Sequence, residues 1–346
     1  MNNKTMYTIE RLEEDVGLIF KKCGVIDDAA EAIARVISAG ERDGCKSHGI
    51  YRIEGCLRVL QAGKVSPQAV PEIEAGDGPM VKVDAKGGFA SLAYEKGVPL
   101  LIERAQTHGL AALVINDCLH FSALWYEVED IASRGLVALS MCPSYAVMAP
   151  WGGKQPLLGT NPFAFAWPRK GVDPYVFDFA TTVAARGEIE LHRREGRPLP
   201  EGWAVDNAGQ PTTDPDAALA GAMLPFGQHK GSAIATMIEL LAGPMLGDFT
   251  SQEALDFMHG DTSLLPRHGA LVLAFDPQVF SHGRHRDPMA GGEQLLQGIV
   301  NQGARLPSQR RYKARREAVS EGIKLSEEEV ALLERLKSKG LDALTP

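Results

Sequence analysis

Apolar positions at both ends of the chain recur at helical spacing. Leu12, Val16, Ile19 and Phe20 share one face of a helix that the Thr8 hydroxyl can cap. Asp28 and Glu31 have the spacing of a capping box ahead of Ile33, Val36 and Ile37. Ser326 and Glu329 repeat that signal ahead of Val330, Leu333 and Leu336. The period changes in the middle, where short β-branched or aromatic runs stand between Gly and Pro: residues 80–83, 111–115, 136–141, 175–179 and 270–275. Each has strand length, and several are apolar enough to be buried on both faces. Helical patterns interleave with them around 99–106 and 232–241, and the Gly/Pro-rich segment 193–215 reads as a long structured loop. The pattern predicts a helical unit made from both chain ends around a mixed α/β middle.

Composition narrows the class. With 346 residues, 45% apolar and 23% charged, the chain can bury a core that needs no metal or disulfide staple. Cys23, Cys45, Cys56, Cys118 and Cys142 show no paired spacing and read as reduced thiols. A net charge of −8 argues against nucleic acid as a partner. It leaves room for a local basic pocket around an anionic ligand. The N-terminal stretch lacks a long apolar region, and no apolar run approaches the ~18 residues of a membrane span. A soluble cytoplasmic protein without a membrane partner is expected.

Candidate chemistry is sparse. No G-x-G-x-x-G follows a strand, and no phosphate-loop or G-x-S-x-G pattern occurs. His282 and His285 sit in a loop pattern beside arginines, and no metal site is expected there. Ser47, His48 and Arg52 stand within six positions. If a helix follows Gly49, Arg52 lies one turn beyond His48 on the same face. An arginine can clamp a carboxylate bidentately while histidine moves a proton. On spacing alone the same residues also suit a surface turn with an unrelated arginine. In LPFGQHKGSA, glycines flank His229 and Lys230 before an apolar helix, so backbone N–H groups can meet an anion. The stretch HFSAL, residues 120–124, follows a strand pattern, as a crevice lining or as packed residues. Asp178, Arg186 and Glu188 follow a buried strand pattern, where a buried carboxylate needs a partner. The basic stretch 304–317 suits a phosphate or, more ordinarily, a solvated helix face.

Taken in order, ERDGCKSHGIYRI, NDCLHFSALW, PLLGTNPFAFAWP, VFDFAT, REGRPLPEGWAVD and LPFGQHKGSA resemble the type-2 malate/L-lactate dehydrogenase family over about residues 8–340. Within it the chain is most similar to the Δ1-piperideine-2-carboxylate/Δ1-pyrroline-2-carboxylate reductases. The resemblance implies an α/β (α+β) fold whose NAD(P)-binding domain is not a Rossmann fold but a mixed, mainly antiparallel sheet. It implies a helical substrate and dimerisation domain from residues 1–78 with 290–346, and a cofactor domain over 79–289. It further implies NADPH as cofactor (NADH more weakly), a cyclic imino acid as substrate, and a homodimer. A 2-hydroxy acid dehydrogenase of the same family is the alternative.

The matching positions give Ser47, His48 and Glu188 as catalytic, with His48 the proton donor. Arg52, Thr160, Arg186 and Gly187 would meet substrate. His120, Phe121, Ser122, Ala123, Leu124, Asp178, Phe179, Ala180, His229 and Lys230 would line the cofactor site. Gly303, Ala304, Arg305, Leu306, Pro307, Ser308 and Gln309 would complete it. Two departures stand out: related reductases carry His-Gly where this chain has Arg186–Gly187, and aspartate where it has Glu188.

Overall fold

The computed structural model describes residues 5–344; residues 1–4 and 345–346, at the tips of the expected helical unit, lie outside the described residues. Thr8 caps the Ile9–Lys22 helix by accepting the Arg11 N–H at 3.1 Å. Leu12, Val16, Ile19 and Phe20 are all buried. The Asp28–Glu31 capping box does not form. The helix starts two residues earlier than that box would set it, spans Asp27–Arg42, and has no side-chain cap. Its entry is fixed instead by the Ile26 N–H donating to Pro67 O at 3.0 Å. Asp28 and Glu31 are thereby turned to Lys96 (3.3 Å) and Lys21 (2.9 Å). The Ser326–Glu329 box forms in both halves and opens the Glu327–Lys339 helix.

The two ends meet directly. Thr5–Tyr7 pairs antiparallel with Ile323–Leu325. Tyr7, Phe20, Ile33, Ile53, Leu325, Leu333 and Leu336 share one apolar core. The helix Pro288–Asn301 lies elsewhere. Glu293 pairs bidentately with Arg169, and a Cβ at Gly292 would sit 2.5 Å from the Trp167 indole nitrogen. The expected boundary at 290 therefore falls inside a helix that packs beside the sheet, and the helical core resumes at Ala318.

The middle is a seven-stranded sheet in the order Glu72–Ala75, Met80–Asp84, Leu110–Leu119, Arg267–Phe275, Val137–Met141, Phe163–Trp167, Tyr175–Phe179. Only the pair Met80–Asp84 with Leu110–Leu119 is parallel; the other five pairings are antiparallel. The middle of the chain is thus a mixed, mainly antiparallel sheet, as the resemblance implied. Helices Ala90–His108 and Trp125–Ser133 cover one face, and His229–Ala242 covers part of the other. Pro99 lies inside the first of these.

Segment 193–215 is more ordered than a loop. It contains the end of the Arg186–Arg194 helix and the strands Ala204–Val205 and Pro211–Thr212. Ala204–Val205 also pairs with Ala222–Met223. With Ile189, Leu199 and Ala218 these strands close a third small core.

Candidate active site

The Ser-His turn is built by close approach. A Cβ at Gly40 would lie 2.5 Å from His48 O, and one at Gly49 would lie 2.2 Å from Glu41 Oε1. Glycine at both positions lets the turn Lys46–His48 settle onto the Asp27–Arg42 helix. Buried Glu41 ties it down, accepting the Ile50 N–H at 2.9 Å and pairing with Lys46. The Tyr51–Gln61 helix follows, as the placement of Arg52 requires.

Arg52 Nη2 stands 3.2 Å from His48 Nε2, and Ser47 Oγ stands 3.0 Å from His48 Nδ1. A guanidinium only donates, so Nε2 is the acceptor and the ring proton of a neutral imidazole sits on Nδ1, donated to Ser47. Desolvation of the imidazole, with Arg52 and then His120 adding to it, lowers the His48 pKa to about 3. His48 is neutral at ordinary pH. Arg52 Nε is buried with no partner among the described residues, a donor waiting for an acceptor.

Four of the expected cofactor segments come together along the Tyr175–Phe179 strand and its continuation. The Trp125 N–H, next to Leu124, donates to Asp178 Oδ2 at 3.0 Å. Ser308 Oγ donates to Val176 O at 2.9 Å on the same strand as Asp178. Phe179 packs edge-on against Phe226 at 5.6 Å, and the Phe226 N–H donates to Thr181 O, which brings His229 and Lys230 to this edge. Burial raises the Asp178 pKa to about 6 against the opposing Trp125 hydrogen bond. Gln228, at φ +61°, turns the chain into the His229–Ala242 helix. His229, Lys230 and Arg305 are exposed, and none has an ion-pair partner among the described residues. An exposed helix N-terminus that carries the unpaired Lys230 is a donor set that fits the phosphates of a nicotinamide dinucleotide.

Several expected lining residues are spent on packing. Phe121 lies against Phe89 at 6.0 Å in the helical core, Leu124 is in the sheet core, and Leu306 is buried. Only their backbone is available to a ligand. His120 is also buried, its Nε2 2.7 Å from Glu127 Oε1, while Ser140 Oγ donates to Glu127 Oε2 at 2.6 Å. Glu127, a carboxylate on the apolar face of the Trp125–Ser133 helix, was the overlooked signal. The basic stretch is neither a phosphate site nor a solvated face at its centre. Arg311 and Arg315 are held by Asp43 and Glu129.

On the substrate side, Thr160 O accepts from both the Thr181 N–H and Oγ. The adjoining Asn161 is locked by Glu239 and Ser251. Arg186 Nη2 donates to Thr262 Oγ1 at 3.1 Å. Gly187 and Glu188 are exposed. Glu188 makes no hydrogen bond to His48 or Arg186, and the groups acting on His48 are Arg52 and His120. Glu188 is exposed in the first turn of the Arg186–Arg194 helix.

The fold thus presents a histidine–arginine pair at a helix start and, at the edge of a mixed sheet, an exposed helix N-terminus carrying Lys230. A profile described as malate/L-lactate dehydrogenase matches residues 7–334. A Δ1-pyrroline-2-carboxylate reductase from Agrobacterium fabrum is 62% identical over 346 residues, covering 100% of both chains. A Δ1-pyrroline-2-carboxylate/Δ1-piperideine-2-carboxylate reductase from Pseudomonas aeruginosa is 49% identical over 331 residues, 94% of this chain and 99% of that one. The crystal structure of Δ1-piperideine-2-carboxylate reductase from Pseudomonas syringae pv. tomato superposes with a TM-score of 0.91 at 40% identity, covering 96% and 99%. The chain belongs to the malate/L-lactate dehydrogenase family of oxidoreductases.

Proposed function

We propose that the protein reduces cyclic imino acids, Δ1-pyrroline-2-carboxylate to L-proline and Δ1-piperideine-2-carboxylate to L-pipecolate, with NADPH. The relatives named above support the substrate class. The observation that carries the reading is the setting of His48, whose Nε2 faces the Arg52 donor at 3.2 Å and whose Nδ1 faces Ser47 at 3.0 Å, which leaves Nε2 unprotonated. A ketone needs a proton delivered to oxygen as hydride arrives, and this imidazole holds none on Nε2. A protonated imine brings its own proton.

When bound, the nicotinamide cofactor supplies the hydride to C2. Arg52 takes the C2 carboxylate with its Nε and Nη2 donors, and in turning Nη2 from His48 to the carboxylate it frees the Nε2 lone pair to accept the iminium N–H. Ser47 holds the ring through Nδ1–H. The iminium proton stays on nitrogen, and the product is the secondary amine. Residues 120–124, 178–180, 229–230 and 303–309 hold the cofactor, the buried ones through backbone groups. Lys230 and Arg305 supply the cations that favour the extra phosphate of NADPH.

A panel of cyclic imino and 2-oxo acids followed by NADPH oxidation tests this. The imino acids are expected to give the highest kcat/KM, and the same assay with NADH a lower value. Faster turnover of pyruvate or oxaloacetate, or a preference for NADH, would move the activity to a 2-hydroxy acid dehydrogenase.

The assembly we propose is a homodimer. Phe163, Phe165, Phe177 and Phe179 form an aromatic ladder on the sheet face opposite Ala164 and Ala166, and the neighbouring helix exposes Met237 and Leu240. A two-fold pairing would cover them; light scattering showing only a 37.3 kDa particle rejects it. No single helix among the described residues is long and apolar enough to cross a membrane. We place the enzyme in the cytoplasm, in proline and pipecolate metabolism, which fractionation and metabolite measurements on a deletion strain would check.

A further inference from the structure

The segment that carries Ser47 and His48 is short and closes on itself weakly. Lys46–His48 is a 3₁₀ turn, where the His48 N–H donates to Cys45 O at 2.8 Å and the Gly49 N–H to Lys46 O at 3.3 Å. Lys46 and Ser47 are exposed, so core packing does not fix this stretch. One side chain does. Buried Glu41 reaches both ends of it: Oε1 accepts the Ile50 N–H at 2.9 Å, and Oε2 pairs with Lys46 Nζ. Ile50 precedes the Tyr51–Gln61 helix, whose start has no capping side chain of its own. Glu41 supplies from another helix the acceptor that a local cap would give. Between its two contacts lie Ser47, His48 and Gly49.

The lysine has a second anchor. Its Nζ also lies 3.3 Å from Glu329 Oε1. Glu329 belongs to the capping box that opens the Glu327–Lys339 helix, and its Oε2 accepts the Ser326 N–H at 2.7 Å. Helices from the two ends of the chain thus present carboxylates to one ammonium. Burial raises the Glu41 pKa, and the charge of Lys46 opposes that rise. Without the lysine, Glu41 would be a buried carboxylate left with the Ile50 N–H.

We infer that Glu41 and Lys46 are positioning residues for the reaction: a single carboxylate clamps both ends of the segment carrying Ser47 and His48, and Glu329 of the C-terminal helix holds the lysine in place. The inference rests on the roles given above to His48 and Arg52, and concerns what keeps them 3.2 Å apart. Arg52 projects from the first turn after Ile50, and its N–H donates to Gly49 O at 2.9 Å. A turn free to rock about Gly49 would change the angle at which Arg52 and His48 Nε2 face one ligand. Rates fall steeply with such misplacement. Glu41 and Lys46 act through these neighbours and need not touch substrate.

The test is steady-state kinetics of the full chain with the same panel of imino and 2-oxo acids. Lys46→Met is expected to lower kcat/KM for Δ1-pyrroline-2-carboxylate about tenfold, a part of the ~10²-fold that a misplacement of about 1 Å costs. The KM for NADPH should stay unchanged. Lys46→Arg, whose guanidinium can pair with both carboxylates, should recover most of the loss. Glu329→Gln keeps an acceptor for Ser326 and loses the charge, so it should cost about two- to fivefold, the range of an exposed pair. It carries the same test if Lys46→Met does not fold. A thermal midpoint for each variant separates positioning from bulk stability. A lowered midpoint with unchanged kcat/KM overturns the inference, as does a KM for NADPH that rises in step. So does a Lys46→Arg variant no better than Lys46→Met. If the wild type prefers a 2-oxo acid, the imino-acid reading fails while the same variant ratios on that substrate still judge the clamp. A wild type that turns over no acid of the panel overturns both.

Discussion

His48→Ala is expected to lower kcat by about 10–10²-fold, the worth of one hydrogen bond to a charged group, while the KM for NADPH changes little. The imidazole touches Ser47 and Arg52. Its removal therefore leaves the segments around Asp178 and Lys230 intact. A pH profile adds a second reading of the same group. Because the pKa of His48 is lowered to about 3, its neutral form persists through the range where an ordinary histidine titrates. The wild-type kcat/KM should therefore show no inflection near pH 6.5 that disappears in His48→Ala. Near-wild-type turnover in the variant would remove His48 from the mechanism. A limb near 6.5 belonging to His48 would mean that the residue enters the reaction as an acid, as the dehydrogenase alternative requires.

The parts of this molecule that were legible in the sequence are those where local chemistry and tertiary packing agree. Thr8 and the Ser326–Glu329 box carry their own capping groups, and the helices begin where those groups are satisfied. The apolar runs at 111–115 and 270–275 are buried between layers, and the strands extend slightly beyond them. Two sheet strands were not legible. Phe163–Trp167 alternates large and small apolar residues between two prolines, so no polar position marks its period. Glu72–Ala75 is an exposed edge strand with charged residues on it, and only the neighbouring strand specifies it. The Asp28–Glu31 box misled for a related reason: Pro67, distant in sequence, decides where that helix starts.

The site divides along the same line. Ser47, His48 and Arg52 are close in sequence, and helical spacing alone brings them together. Their supports are remote or mute. Glu41 acts through the absence of side chains at Gly40 and Gly49, and Glu127 reaches His120 from a helix face that reads as core. Glu188 lies in the turn of chain that the motif marks, but its exposure in the first turn of the Arg186–Arg194 helix could not be read from spacing.

Asp43→Asn is expected to destabilise the protein by about 3–5 kcal/mol, the cost of breaking a buried ion pair from one side. Asp43 ends the Asp27–Arg42 helix five residues before His48, and its side chain is wholly buried. It accepts from Arg42 Nε at 2.6 Å, Arg311 Nη1 at 2.8 Å and Arg315 Nε at 2.9 Å. Arg311 also stacks on the Trp125 ring at 4.0 Å, and both Arg311 and Arg315 reach Glu129. One carboxylate thus joins the chain leading into the Ser47–His48 turn, the 120–129 segment and the helix that follows residues 303–309. Asparagine keeps the volume and leaves three cations facing a neutral amide. Burial by itself would raise the Asp43 pKa, but the hydrogen bonds from Arg315 and Arg42 outweigh it and hold the carboxyl below its ordinary value. A carboxylate depressed in the folded state contributes stability above its unfolded pKa, about 3.9, and that contribution is lost as pH falls through the folded value. Urea unfolding from pH 7 downward should therefore show the largest gap between wild type and Asp43→Asn at pH 7, narrowing below about pH 4 as the wild type alone loses this term. Because the 303–309 segment leads directly into the tethered helix, the variant should also show a raised KM for NADPH. A variant whose unfolding free energy at pH 7 stays within about 1 kcal/mol of wild type, the range of exposed ion pairs, would show that the cluster does not hold the three segments together.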